Sequence, residues 1–308
     1  MKKTIQLIIV CLLTISLPIL HSCSTQKKSE SIVCTTTIVA DVVDHLKPPS
    51  ISLMGPGVDP HLYKSKSGDH LLLNDAKVIV YSGLHLEGKM TDALENLSTK
   101  KPVINLTDGI ATQKLLRSDD FAGSYDPHFW FDIHLFQDAV KHCGLELQKH
   151  FPEDKATIAL NTKKYVDELD SLAKEINILM HQLPIEKRIL ITAHDAFSYY
   201  GKAYNIKVKG IQGASTAAEA GLKDITNLVD FIITNKVSAI FVESSVSERN
   251  IEAIIEGCKK KGHKLLLGGS LYSDALGSPK TGGETYVKMM IHNTQTIVNA
   301  LNQVDETK

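Results

Sequence analysis

The sequence predicts an α/β fold built on parallel sheets. Apolar, β-rich runs alternate with helical patterns, this alternation occurs twice along the chain, and one long amphipathic stretch separates the two series. The length of 308 residues exceeds the need of one small core and suits two domains. A hydrophobic content of 43% and a charged content of 22% describe an ordinary globular chain.

The first series opens with "SIVCTTTIVADVV", a strand that runs into a helix. "ISLMG", "AKVIVYSG" and "KPVINL" are short strands, each ending near glycine or a polar turn. "IHLFQDAVKHCGLELQKHF" reads as an amphipathic helix. In the second series "RILITAHD", "IKVKGI", "VSAIFVESS" and "HKLLLGGS" are strands with helical stretches between them. Between the two lies a segment preceded by Pro152 and closed by Pro184. In it Tyr165, Val166, Leu169, Leu172, Ala173, Ile176, Leu179, Met180 and Leu183 follow a 3–4 spacing and predict one apolar face. About 28 residues at 1.5 Å rise make a rod of roughly 40 Å. Such a rod either bridges two lobes or lies along the surface of one domain.

The N-terminus has its own pattern. Lys2 and Lys3 precede the apolar run "TIQLIIVCLLTISLPIL", a secretory signal layout. Leu20-His21-Ser22-Cys23 resembles a bacterial lipobox, which implies removal of residues 1–22 and lipidation of Cys23. Residues 23–30 then form a polar tether. Losing Lys2 and Lys3 from 34 basic residues, against 35 acidic ones, leaves the mature chain at −3. Nothing in that charge suggests a nucleic-acid partner. Cys34, Cys143 and Cys258 cannot all pair within one chain, and no CxxC or finger spacing points to a cysteine metal site. Buried free thiols are expected.

Most of the 13 histidines have bland settings. His45, His142, His150, His181, His263 and His292 read as solvated, and His70 and His85 lack a strand-end position. Three differ. His61 follows the loop "MGPGVDP" after the strand 51–54, His194 follows the strand 189–192 directly, and His128 stands in "DPHFWFD" before a helix. Carboxyl ends of parallel strands line the crevice where α/β proteins bind ligands. Asp-Pro-His occurs at both His61 and His128. A repeated tripeptide is no evidence in itself, but each proline stiffens its loop. Asp59, Asp126 and Asp195 are candidates to orient imidazoles, or are turn residues. Imidazole suits borderline divalent metals. As a fourth donor Asp274, in the loop after the strand 265–267, is the first choice and Glu243, ending "FVE", the second.

"GPGVDPHLYKSKSGD", "VIVYSGLHLEGKM", "DPHFWFD", "LITAHDAFSYYGKAYNIKVKGIQG", "AIFVESS" and "LYSDALG" occur in an order that resembles the zinc/manganese solute-binding lipoproteins of ABC transporters, TroA-type branch. The likeness runs from about Ser31 to Leu301. It implies two α/β lobes, 31–150 and 184–308, joined by one rigid helical segment, 151–183, with a metal between them. It implies His61, His128, His194 and Asp274 as ligands; from the residues themselves, Asp126, Asp195 and Glu243 are expected behind them. The implied cargo is Zn(II) or Mn(II). The implied partners are an ABC permease with its ATPase and the membrane, reached through lipid on Cys23; the protein would be a monomer on the periplasmic or cell-surface face of the inner membrane. Zinc-specialised relatives often carry a histidine-rich loop before the second ligand, and "LTDGIATQKLLRSDDFAGSY" has no histidine. Manganese-specialised relatives often have Glu where this chain has His194. Both metals therefore fit, with nitrogen donors favouring zinc.

Rival readings are a zinc hydrolase, which usually keeps an open metal position, an adhesin, for which no adhesive repeat exists, and a chelate-binding protein, which wants a wide aromatic or Arg-lined cleft. Trp130, two residues after His128, is placed to report metal. Affinity is expected to fall below about pH 6.5, where free imidazole protonates.

Overall fold

The computed structural model describes residues 31–118 and 124–302. The expected signal segment, the lipidation site Cys23 and the tether lie outside the described residues.

The first half carries a four-stranded parallel sheet in the order β2-β1-β3-β4, from β1 (Ile32–Cys34), β2 (Ser50–Ser52), β3 (Val78–Tyr81) and β4 (Val103–Asn105). Its connecting helices are α1 (Thr37–Leu46), α2 (Ser67–Asp75) and α3 (Thr91–Ser98). In the second half β5 (Ile189–His194) pairs in parallel with β6 (Lys207–Gln212), and β7 (Ala239–Glu243) with β8 (Leu266–Leu271). β5 and β7 run beside each other, and α6 (Ser198–Tyr204), α7 (Leu222–Thr234) and α8 (Arg249–Lys260) connect the strands.

Both sheet systems are covered on two faces, and the period-2 alternation of strand side chains shows it. Ile32 and Cys34 enter the central core while Val33 packs on the opposite face with Met54, Leu73 and Ile79. Likewise Ala239 and Phe241 face the central core, and Ile240 and Val242 pack with Ile232 and Ile254 behind the sheet. The central core is continuous between the halves because α5 (Lys155–His181) lies between them. Its buried residues Ile158, Tyr165, Leu169, Leu172, Ala173, Ile176 and Met180 belong to the same cluster as α1, α4 (Ile133–His150) and α9 (Tyr286–Asn302). Val166 and Leu179 flank that face half-buried, and Leu183 is buried just past the helix end. The helix is therefore a shared wall with a core on it from both halves, which resolves the choice left by its periodicity.

α4 starts where its cap dictates: the Asp132 side chain accepts from the backbone N–H of His134 and Leu135. Two strand boundaries differ from expectation. β2 ends at Ser52, although Leu53 and Met54 still donate to the carbonyls of Cys34 and Thr35. β8 runs to Leu271 through Gly268-Gly269, where a bulge opposite Ile240–Val242 interrupts the register. A Cβ at Gly268 would lie 2.5 Å from the Phe241 ring, and Gly269 has φ +124, so this close passage requires glycine.

Cys34, Cys143 and Cys258 are free and buried. Of the six histidines expected to be solvated only His181 is exposed; His45, His142, His150, His263 and His292 are half-buried, and three of these have a defined partner. His45 stacks on Tyr165 with ring centroids 3.8 Å apart, and His263 and His292 are tied to the carbonyls of Val237 and Ser270. Each is half-buried because its partner comes from a different element, which a local pattern does not display. Among the described residues no helix is long and apolar enough to cross a membrane.

Candidate metal centre

Four side chains from four separate segments meet between the halves. His61 follows β2, His128 precedes the 3-10 turn Phe129–Phe131 that leads into α4, His194 is the last residue of β5, and Asp274 follows β8. One ligand atom from each lies within 4.8 Å of all the others, and all four residues are buried. The Nε2 atoms of His61 and His194 lie 3.4 and 3.3 Å from His128 Nε2. The carboxylate reaches between two rings, with Oδ1 3.2 Å from His128 Nε2 and Oδ2 3.4 Å from His194 Nε2.

Those separations have a chemical meaning. Donors bound at 2.0–2.1 Å around a tetrahedral centre are about 3.3–3.4 Å apart, and that bond length belongs to zinc–imidazole. Oδ1 of Asp274 is fully buried and has no hydrogen-bond partner. Such an atom normally carries a large cost, and a shared cation would satisfy it. The donor set thus fits a borderline divalent ion.

Both Asp-Pro-His tripeptides fold the same way. Proline has no N–H, so the aspartate carboxylate reaches past it to the histidine amide: Asp59 Oδ1 accepts from the His61 N–H at 2.8 Å and Asp126 Oδ1 from the His128 N–H at 2.9 Å. The turn role applies to both. Only Asp126 also holds an imidazole, its Oδ1 lying 2.7 Å from His128 Nδ1. Glu243 does the corresponding work at His194. Its Oε1 accepts the His194 backbone N–H at 2.8 Å, and its Oε2 sits 2.6 Å from Nδ1, too far off axis for a good hydrogen bond but close for charge. A carboxylate at Nδ1 keeps the proton there and leaves the Nε2 lone pair aimed at the centre. Asp195 does neither: its carboxylate accepts from Ser198 Oγ at 2.9 Å, away from the ring of His194. Glu243 stands behind His194 rather than in the ring of four.

The electrostatics follow the same arrangement. Burial opposes charge on His128, but Asp126 and Asp274 outweigh it and raise its pKa to about 9. For His194 burial is likewise overcome by Glu243 and Asp274, which hold it well above the usual imidazole range. Asp274 is held well below the usual carboxylate range because His194 and His128 outweigh its own burial. His61 has only one favourable neighbour; burial and the two other imidazoles push it down to about 3.

Several supporting contacts escaped the sequence reading. Ser245 Oγ donates to Asp274 Oδ2 at 3.3 Å, and its position just past the end of β7 was the available clue. Tyr199 Oη donates to the Asp126 carbonyl at 3.0 Å and accepts from Leu116 N–H, joining α6 to the segment before His128. Trp130 Nε1 donates to the Ser273 carbonyl at 3.1 Å. Thr216 Oγ1 donates to Asp59 Oδ2 at 2.7 Å. No local signal marks Tyr199 or Thr216.

A model of the family described as periplasmic zinc-uptake complex component A matches residues 32–300. The chain is similar to the manganese-binding lipoprotein MntA of Bacillus subtilis (strain 168), with 41% identity over 291 residues, 92% of this chain and 95% of that one. It is also similar to the zinc-binding protein TroA of Treponema pallidum (strain Nichols), with 40% identity over 273 residues and 88% of each chain covered. The solved structure of the periplasmic zinc-binding protein TroA from Treponema pallidum superposes with a TM-score of 0.85 at 39% identity, covering 89% of this chain and 99% of that one.

Proposed function

Since the chain belongs to the periplasmic zinc-uptake component A family, we propose that it is the extracytoplasmic metal receptor of an ABC importer, with His61, His128, His194 and Asp274 as the ligands of Zn(II) or Mn(II). Residues 31–150 and 184–308 act as the two lobes and 151–183 as the rigid link between them. The mature chain is a monomer held by lipid on Cys23 at the periplasmic or cell-surface face of the inner membrane. It passes its ion to a permease driven by an ATPase.

One observation carries this reading: two donors precede α5 and two follow it, and they converge with 3.2–3.4 Å between neighbouring atoms. An ion on these atoms crosslinks the two halves. Because α5 carries core packing from both sides, wide hinge opening would expose that core, and release proceeds through loop or small lobe movements. Four protein donors would complete a four-coordinate shell and leave no open position for an activated water, which suits capture better than hydrolysis. The relatives' names include both metals, while three imidazoles favour zinc on intrinsic affinity.

The test is elemental analysis of the purified mature protein, followed by competition between zinc and manganese. One equivalent of divalent metal, with zinc displacing manganese, is expected. Protein that retains neither metal after equilibration with micromolar concentrations would overturn the reading.

A further inference from the structure

We infer that Asp59 and Thr216 form a latch across the cleft that holds His61 over the bound ion, which makes Thr216 a positioning residue for capture and release. The inference rests on the reading of His61 as a ligand.

The four donors are not held alike. Asp126 grips both the ring and the amide of His128, and the neighbouring backbone is tied to the other half through Tyr199 and Trp130. Glu243 fixes His194 at its amide and its Nδ1. Asp274 is braced by Ser245. Among the described residues no carboxylate holds the His61 ring by its outer nitrogen. His61 is placed through its backbone instead, by one carboxylate with two duties: Asp59 Oδ1 takes the His61 N–H at 2.8 Å and Oδ2 takes Thr216 Oγ1 at 2.7 Å.

The segment that bears His61 is otherwise lightly held. Gly55, Pro56 and Gly57 are exposed, and Gly57 has φ +71. Its backbone leans on the second half at the Ser244 carbonyl, which a Cβ at Gly57 would approach to 3.3 Å. Thr216 itself is buried and lies in the loop after β6, a part of the second half that supplies no metal donor. Breaking the Asp59–Thr216 bond therefore frees the His61 loop while the other three donors keep their supports. That makes His61 the donor that leaves first when the ion is released.

Thr216→Val removes the hydroxyl and keeps the shape, and Thr216→Ser keeps the hydroxyl. Zinc release from the full mature protein is measured by stopped flow against excess chromophoric chelator. Release from T216V is expected about tenfold faster than wild type, the lower end of what a hydrogen bond to a charged group contributes. T216S should release near the wild-type rate, and metal-free T216V should stay folded, with a melting temperature lowered by only about 2–6 °C. In the D59A background T216V should add nothing further. A wild-type release rate in T216V, equal acceleration by T216S, or independent effects of D59A and T216V would each overturn the latch. Zinc binding by H61A indistinguishable from wild type would instead place the failure in the ligand reading on which the latch depends.

Discussion

Replacing Glu243 by glutamine changes one atom and tests the role of the charge behind His194. The carboxylate serves the same residue twice, Oε1 accepting from the His194 amide and Oε2 lying 2.6 Å from Nδ1 as a close charge. An amide has one acceptor. If its oxygen stays on the backbone N–H, its NH2 faces Nδ1, which must then accept, and the ring proton moves to Nε2. That is the nitrogen that points at the centre, 3.3 Å from His128 Nε2. Loss of such a partner typically costs 10–100-fold in metal affinity, roughly 1.4–2.7 kcal/mol. An opposing effect is built in. Glu243 also raises the His194 pKa, so its removal eases proton competition. The net loss should therefore be smaller at pH 6.5 and approach the upper end by pH 8.5, where protons compete less. The assay is zinc competition against a chromophoric chelator at both pH values, with circular dichroism to confirm the fold. Affinity within twofold of wild type at both pH values would refute the argument.

Two further outcomes are expected. Zinc affinity should rise with pH up to about 9, because His128, with its pKa raised to about 9, and His194, also raised, must each lose a proton to bind; sequence alone had put the fall near 6.5. The sign for the metal-free fold is opposite: a raised His128 pKa contributes stability that is present below about pH 6.5 and lost as pH rises through 9. The gap between zinc-loaded and metal-free melting temperatures should therefore widen between pH 6.5 and 9, and a constant gap with a flat affinity profile would contradict this. Trp130 lies edge-on to His128 with ring centroids 5.3 Å apart and donates to the carbonyl of Ser273 beside Asp274. Its emission should change with added zinc and saturate at one equivalent, while a flat titration would count against His128 as a ligand.

Much of this arrangement was visible in one dimension because it rests on periodicity. The 3–4 spacing from Tyr165 to Met180 marked the face of α5 that is buried, and the alternation of strands and helices marked parallel sheets. Polar residues at strand ends singled out His61, His194 and Asp274 without reference to distance. What sequence did not display was pairing between segments. Asp59 and Asp126 look identical in their tripeptides, yet one carboxylate crosses the cleft to Thr216 and the other turns onto its own imidazole. Asp195 stands next to a strand-end histidine and still turns to Ser198. The same holds for His45, whose stacking on Tyr165 joins residues 120 positions apart. The pKa values were also hidden, because they depend on which carboxylates approach each ring in three dimensions.

The central claim is that His61, His128, His194 and Asp274 together hold one ion. Metal stoichiometry of the mature protein and of its His61→Ala and Asp274→Ala variants, after dialysis against buffered micromolar zinc, tests it most directly. The account predicts one equivalent in wild type and at least about tenfold weaker binding in each variant, the loss expected when a buried ligand is removed. Wild-type affinity retained by both variants would contradict it.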